Sequence, residues 1–267
     1  MRISIIVPVI NCKEYTEKFL PTVYSKKHDL KFYLIDNGSH DGTTIMFAKL
    51  ANEDKKYTFI RNESNKGVAG SWNQGIKIAM ADGFDRYFVC NNDILLRKDT
   101  IDNLIELMDK EKFGFLTPLN IRDEVMIPED VFDMKPKELS FSDKGSADFS
   151  CFLISKECYK KAGEFDEGFV GGYFEDNDYV WRVYLAGQRI GQTTGAIYYH
   201  FGSKTQNQVE GGVIKSTRFE KNRQYFIEKW GCDTQGDFEK MKEHYYKFPF
   251  NDNDKKITYV KQYDTAN

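Results

Sequence analysis

Asn91-Asn92-Asp93 follows directly on the apolar run Tyr87 to Cys90. A buried strand that ends in a carboxylate sets a hard anionic oxygen at the carboxyl edge of a sheet, where open α/β sheets bind ligands. Such an oxygen suits Mg²⁺ or Mn²⁺. Asn and Asp are also ordinary turn residues, so this segment alone serves either purpose. Three further polar clusters fall at comparable places: Asp36 after Phe32 to Ile35, Glu175-Asp176 opening an apolar helix, and His200 after Ala196 to Tyr199. Their convergence points to metal-assisted group transfer.

Each cluster carries a chemical and a structural reading. Pro8, Asn11 and Asp36 lie where two adjacent strands end. An Asp there accepts hydrogen bonds from a ribose hydroxyl or a base N–H, although an Asx-turn at Asp36-Asn37-Gly38 explains the same residues. The segment Asn65-Lys66-Gly67-Val68-Ala69-Gly70-Ser71-Trp72-Asn73 places small residues at a helix start, where backbone N–H groups can approach a phosphate. Tight helix packing accounts equally for its glycines. Asp93 offers the metal oxygen, and Asn91 a contact to ribose or sugar. His200 is either a further ligand, which tilts the site toward Mn²⁺, or a half-buried histidine at a strand end. Glu175 and Asp176 either complement the helix dipole or supply a general base for an acceptor hydroxyl. Arg182, one turn from Asp178, is expected to pair with it.

The elements that must hold these residues alternate. Strands are expected at Ile3 to Val7 (stopped by Pro8), Phe32 to Ile35, Tyr57 to Ile60, Tyr87 to Cys90, Phe113 to Thr117, Phe149 to Ile154 and Ala196 to Tyr199. Helices are expected near Tyr15 to Tyr24, Asp41 to Ala51 with Asp or Thr as N-cap, Ala69 to Ala81, Asp99 to Lys110, Glu175 to Ala186, Phe219 to Lys229 and Asp237 to Tyr246. Continuous apolar strands between helices predict an α/β fold with a mainly parallel sheet covered on both faces. Residues 120–147 break the pattern and read as a long loop or small excursion, of a length that is usually functional or mobile. The expected division is an α/β domain over 1–205 that carries these clusters and a helical extension over 206–267 packed on it.

The 267 residues carry 38 Lys and Arg against 41 Asp and Glu, a net charge of −3. That balance argues against overall attraction to nucleic acid or an anionic membrane. The five cysteines include no CxxC pair, which predicts neither a disulfide framework nor a zinc site and fits a reducing cytosol. No apolar run approaches the roughly 20 residues of a membrane helix. The expectation is a soluble, cytoplasmic protein, with peripheral membrane attachment left open.

Taken in order, these motifs resemble the inverting glycosyltransferases of family two, with the GT-A fold. The resemblance runs through Val7-Pro8-Val9 with Asn11, Asp36-Asn37-Gly38-Ser39 with Asp41-Gly42-Thr43, and Asn65-Lys66-Gly67 with Ala69-Gly70 and Asn73. Asn91-Asn92-Asp93 stands where these enzymes carry a metal-binding DxD, with Asn in place of its first Asp. Phe165-Asp166-Glu167, Phe169, Glu175-Asp176 and Asp178 are similar to the acceptor-side segment, and His200 with Gly202-Ser203 to a late metal-ligand histidine. Asn222, Tyr225 and Lys229-Trp230-Gly231 resemble the C-terminal part of rhamnosyltransferase-like members. The match covers about residues 3–231.

The resemblance implies a UDP- or dTDP-sugar donor bound by Pro8, Asn11, Asp36, Asp41, Asn65, Gly67, Asn73, Asn91 and Asn92. Asp36 would read base or ribose, braced by Asp41. Asp93 and His200 would hold Mn²⁺ or Mg²⁺ on the diphosphate. Asp176 would be the base, with Glu175 the second candidate, and a single displacement would invert the anomeric centre. The acceptor is left open among glycan (as in polysaccharide biosynthesis), lipid-linked sugar, other hydroxyl and nucleic acid. A sugar-phosphate nucleotidyltransferase would begin with GxGxRL, which this chain lacks. An inactive relative that binds a nucleotide sugar or glycan is the alternative from another class.

Overall fold

Apolar runs free of polar alternation become strands covered on both faces. In a computed structural model of the chain, which describes residues 1–121, 127–135, 141–142, 147–202 and 212–248, they assemble into one mixed sheet. The elements are β1 (Arg2–Val9), α1 (Lys13–Phe19), β2 (Asp29–Asp36), α2 (Thr43–Glu53), β3 (Tyr57–Arg61), α3 (Gly67–Ala81), β4 (Arg86–Cys90), β5 (Ile94–Leu96) and α4 (Thr100–Glu111). There follow β6 (Phe115–Asn120), β7 (Phe141–Ser142), β8 (Cys151–Ser155), α5 (Lys156–Ala162), α6 (Glu175–Leu185), β9 (Ile190–His200), α7 (Gly212–Trp230) and α8 (Phe238–Lys247).

The strand order is β3-β2-β1-β4-β8-β6-β9-β5, with β7 on β9. The β3-β2-β1-β4 half is parallel, as is β6 with β9. β8 runs antiparallel between β4 and β6, and β5 and β7 run antiparallel to β9. Consequently β1, β2, β4 and β9 all end at one edge of the sheet. That edge gathers Asp36, Asn91 to Asp93 and His200.

Side-chain alternation along the strands splits the core into two layers. Ile6, Tyr33, Ile35, Tyr87 and Val89 meet α3, α5, α6, α7 and α8 on one face. Ile3, Ile5, Val7, Leu34 and Phe88 meet Phe19 of α1, Phe47 of α2 and the Ile101, Leu104, Ile105, Met108 stripe of α4 on the other. Helix α3 approaches the sheet so closely that a Cβ on Gly75 would stand 2.4 Å from Ile6 Cγ2.

Several expectations are adjusted. Pro8 does not stop β1, which pairs with β2 as far as Val9. Beyond Ile6 the strand has left β4, and a residue without an N–H is tolerated where pairing is one-sided. The N-cap of α2 is Gly42 at φ 92 rather than a side-chain cap. Asp41 instead accepts hydrogen bonds from the Thr43 amide and hydroxyl at 3.1 and 2.6 Å. The last strand begins at Ile190, not Ala196. β5 and α5 were not anticipated. Of the 120–147 excursion, the described parts are a 3₁₀ turn at Pro128–Asp133 and β7; the rest lies outside the described residues, as do Ser203 and the chain beyond Phe248. No helix among the described residues is long and apolar enough to cross a membrane.

Candidate active site

The carboxyl edge of the sheet opens into a cleft of about 330 Å³. One wall comes from strand ends: Pro8, Asn91, Asn92, Asp93 and His200. Asn65, Gly67 and Val68 bring in the start of α3. The opposite wall is Gly171, Gly172, Tyr173, Glu175 and Asp176, the loop and first turn of α6. Nine of the residues singled out from sequence therefore face a single space: Pro8, Asn65, Gly67, Asn91, Asn92, Asp93, Glu175, Asp176 and His200.

Asn11, Asp36, Asp41 and Asn73 are not among the cleft-lining residues. Asp36 is fully buried. Its carboxylate accepts from the Ser39 amide at 2.8 Å, the Thr44 hydroxyl at 2.5 Å and Arg61 at 2.5 Å. Burial pushes its pKa up, but these bonds outweigh burial and hold it below the ordinary carboxylate value. Asn11 sits in the left-handed region at φ 57, where its Oδ1 accepts from the His40 amide at 2.9 Å. Asp41 also takes the Lys13 amide at 2.7 Å. These residues fasten the two loops after β1 and β2 to each other. Asn73 ties α3 to the segment between α5 and α6, donating to Phe165 O at 2.8 Å and Glu167 at 3.0 Å.

Asp93 and His200 form the polar focus of the strand-end wall. His200 Nε2 lies 3.2 Å from Asp93 Oδ1, and both side chains are largely buried. Behind the ring, Ser150 Oγ is 3.3 Å from Nδ1, which favours Nε2 as the nitrogen turned to Asp93. Among the described residues no group of three or more His, Cys, Asp or Glu gathers at one point. A divalent cation at this pair would take the rest of its shell from substrate oxygens and water, a usual arrangement for Mg²⁺ on a diphosphate. A carboxylate and an imidazole are a fitting donor set on those terms.

Glu175 and Asp176 differ in setting. Glu175 is buried, its Oε2 without a protein partner. Burial, then the neighbouring Asp176 charge, push it up to about 8. Asp176 is half-buried and is raised by burial as well, partly offset by its bond from the Asn177 amide. Two adjacent carboxyls do not both ionise cheaply, and burial disfavours the charged form of each. Asp178, by contrast, points into the core, bound by Arg182 at 2.8 Å, Lys229 at 2.8 Å and the Trp230 indole at 3.0 Å.

Asn37, Asp148 and Tyr173 also line the cleft, although the sequence reading gave them no role of their own. Asn37 donates to Ser71 at 2.7 Å and accepts from Asn62 at 2.9 Å, which locks its amide against α3. Its signal was its place beside Asp36. Asp148 accepts from the Ser150 amide at 2.9 Å and from Asn120 at 3.2 Å. Burial raises its pKa, but the Tyr198 hydroxyl, Ser150 and Asn120 bring it below the ordinary value. Tyr173 lines the opposite wall.

The family model described as "Glycosyl transferase family 2" matches residues 4–161, from β1 into α5. An uncharacterized protein of Mycobacterium tuberculosis is 25% identical over 198 residues, covering 66% of this chain and 75% of that one. The putative teichuronic acid biosynthesis glycosyltransferase TuaG of Bacillus subtilis is 24% identical over 144 residues, covering 53% and 56%. Among solved structures, Staphylococcus aureus TarS 1-349 in complex with UDP-GlcNAc superposes with a TM-score of 0.63 at 16% identity, covering 93% of this chain and 71% of that one.

Proposed function

The chain belongs to glycosyl transferase family 2, and from that premise we propose that it transfers a sugar from a nucleoside diphosphate sugar to an acceptor hydroxyl with inversion. The observation that carries this reading is the composition of the cleft: the Asp93–His200 pair and the Glu175-Asp176 carboxyls line one space.

In this account Asp176 accepts the proton of the acceptor hydroxyl as that oxygen attacks the anomeric carbon and the diphosphate leaves. A pKa raised by burial makes it a stronger base than an ordinary carboxylate, while its place on the cleft wall keeps it reachable. Glu175, protonated, donates rather than accepts. Asp93 and His200 would hold Mg²⁺ or Mn²⁺, which when bound supplies positive charge to the leaving diphosphate. Asn65, Gly67 and the amides opening α3 present N–H groups to the same diphosphate. Asp36, Asp41, Asn11 and Asn73 act from behind, by fixing the loops on which the donor rests. The UDP-GlcNAc complex of a fold neighbour favours UDP-sugars as the first donors to test, and the teichuronic acid relative a cell-surface glycan as acceptor. The rhamnosyltransferase-like character rests on Asn222, Tyr225 and Lys229-Trp230-Gly231. Cytoplasmic action is consistent with five free cysteines.

Thermal unfolding with UDP-, dTDP-, GDP- and CDP-sugars, each with Mn²⁺, Mg²⁺ or EDTA, tests the reading. Stabilisation by one nucleotide class that EDTA removes is the expected result, because a ligand of the folded state raises its melting temperature. No stabilisation by any donor would overturn it.

A further inference from the structure

The loop that carries the acceptor-side wall has a backbone it would not adopt by itself. Gly171, Gly172, Tyr173 and Phe174 all have positive φ, at 73, 117, 78 and 71°. Two of them are aromatic residues with a Cβ, for which this region is disfavoured and persists only where surroundings impose it. The next residues are Glu175 and Asp176. Whatever holds this loop therefore sets where the base stands.

The holding groups come from α7, about fifty residues further along the chain. Asn222 is almost fully buried, and its single amide spans the loop. Its Nδ2 lies 2.7 Å from Gly172 O, 3.1 Å from Tyr173 O and 3.2 Å from Val170 O. Its Oδ1 accepts from the Val170 amide at 3.2 Å. The base of the loop is pinned from the same helix, where Tyr225 donates to Asp166 at 3.0 Å and Lys229 pairs with it. On the other side the loop abuts the start of α3, since a Cβ on Gly67 would come within 3.5 Å of Gly171 N.

We propose that Asn222 is a positioning residue for catalysis: its amide clamps the left-handed loop 170–174 and so holds Asp176 in register with the donor half of the cleft. The inference rests on the assignment of Asp176 as base in the proposed function. It makes α7 part of the working site rather than an external brace. The donor side of the cleft, built from β1, β4 and α3, meets the loop at the Gly67–Gly171 approach, whereas the Asn222 bonds go to Val170, Gly172 and Tyr173.

The test is Asn222→Asp, which keeps the size and the acceptor for the Val170 amide but replaces the donor by an oxygen turned toward three carbonyls, with Asn222→Ala beside it. In full-length protein showing donor-dependent turnover, both variants should lose kcat by about 100-fold, the scale of a catalytic group displaced by about 1 Å. Donor Kd should stay near the wild-type value. Wild-type kcat in folded Asn222→Asp would overturn the clamp. So would loss of donor affinity in step with kcat, which would mark a general structural role. Should both variants fail to fold, hydrogen exchange of the wild-type protein decides. The Val170 amide, on a residue that is 66% exposed, should be protected, and exchange at the rate of an open loop would refute the proposal. Absence of turnover in the wild type would count against the proposed function instead.

Discussion

Glu175→Gln separates the two adjacent carboxyls by their effect on stability. Folding moves Glu175 from its ordinary value of 4.5 to about 8, through burial first and the Asp176 charge second. Between those values the folded chain keeps a proton that the unfolded chain has released, so stability falls as pH rises through that interval. Below about pH 4.5 nothing is lost. Above about pH 8 the full cost applies, on the order of 3–5 kcal/mol at about 1.4 kcal/mol per tenfold change in proton affinity. Gln cannot ionise and stands in for the neutral form. The stability difference between variant and wild type should therefore grow by about 3 kcal/mol from pH 5 to pH 8. Any penalty for burying the amide is independent of pH, so it offsets the whole curve and leaves the slope alone. Urea unfolding followed by tryptophan fluorescence, at fixed ionic strength across that range, measures the difference. Parallel pH curves for the two proteins would refute the assignment of a protonated Glu175. Turnover at neutral pH should survive the substitution, because the proton acceptor is its neighbour.

Two further expectations concern the frame around the cleft. Lys229→Met removes the cation shared by Asp166 and Asp178, all three nearly inaccessible; breaking such a buried network should destabilise the fold by about 3–5 kcal/mol in urea unfolding, and a loss below about 1 kcal/mol would contradict it. Gly75→Ala would set a methyl group 2.4 Å from Ile6 Cγ2 and 2.9 Å from Ile35 Cδ1. That overpacking should cost about 1–3 kcal/mol by the same assay, and a neutral result would show that the helix can step away from the sheet.

What could be read before folding was the strand-end chemistry. Apolar runs such as Tyr87 to Cys90 mark buried strands, and the polar residues after them must emerge at an edge, so Asp93 and His200 were visible as candidates. Direction was not visible. Nothing local in Cys151 to Ser155 tells that β8 runs against β4, because pairing partners lie far along the chain. Short elements were lost for a different reason: β5 has three residues and α5 seven, too few for a period to register. The Ser155 hydroxyl that caps α5, accepting from the Cys158 amide at 3.1 Å, was the available signal. Asp148 fell beside a segment without periodicity and joined the cleft only through the fold. The opposite limit is Asn73, whose motif pointed to a phosphate while its amide turned to Phe165 and Glu167. A helix start shows which residues are near a ligand, but side-chain direction depends on what packs beside it.

The central claim is that Asp176 is the base of a sugar transfer. Asp176→Asn keeps the shape of the side chain and removes its basicity. Donor binding by calorimetry and product formation should be measured on the same preparation, with the nucleotide sugar and cation that stabilise the wild type. The account predicts unchanged donor affinity with turnover lowered by about 10²–10⁴-fold, the usual contribution of a general base. Turnover equal to wild type would contradict it.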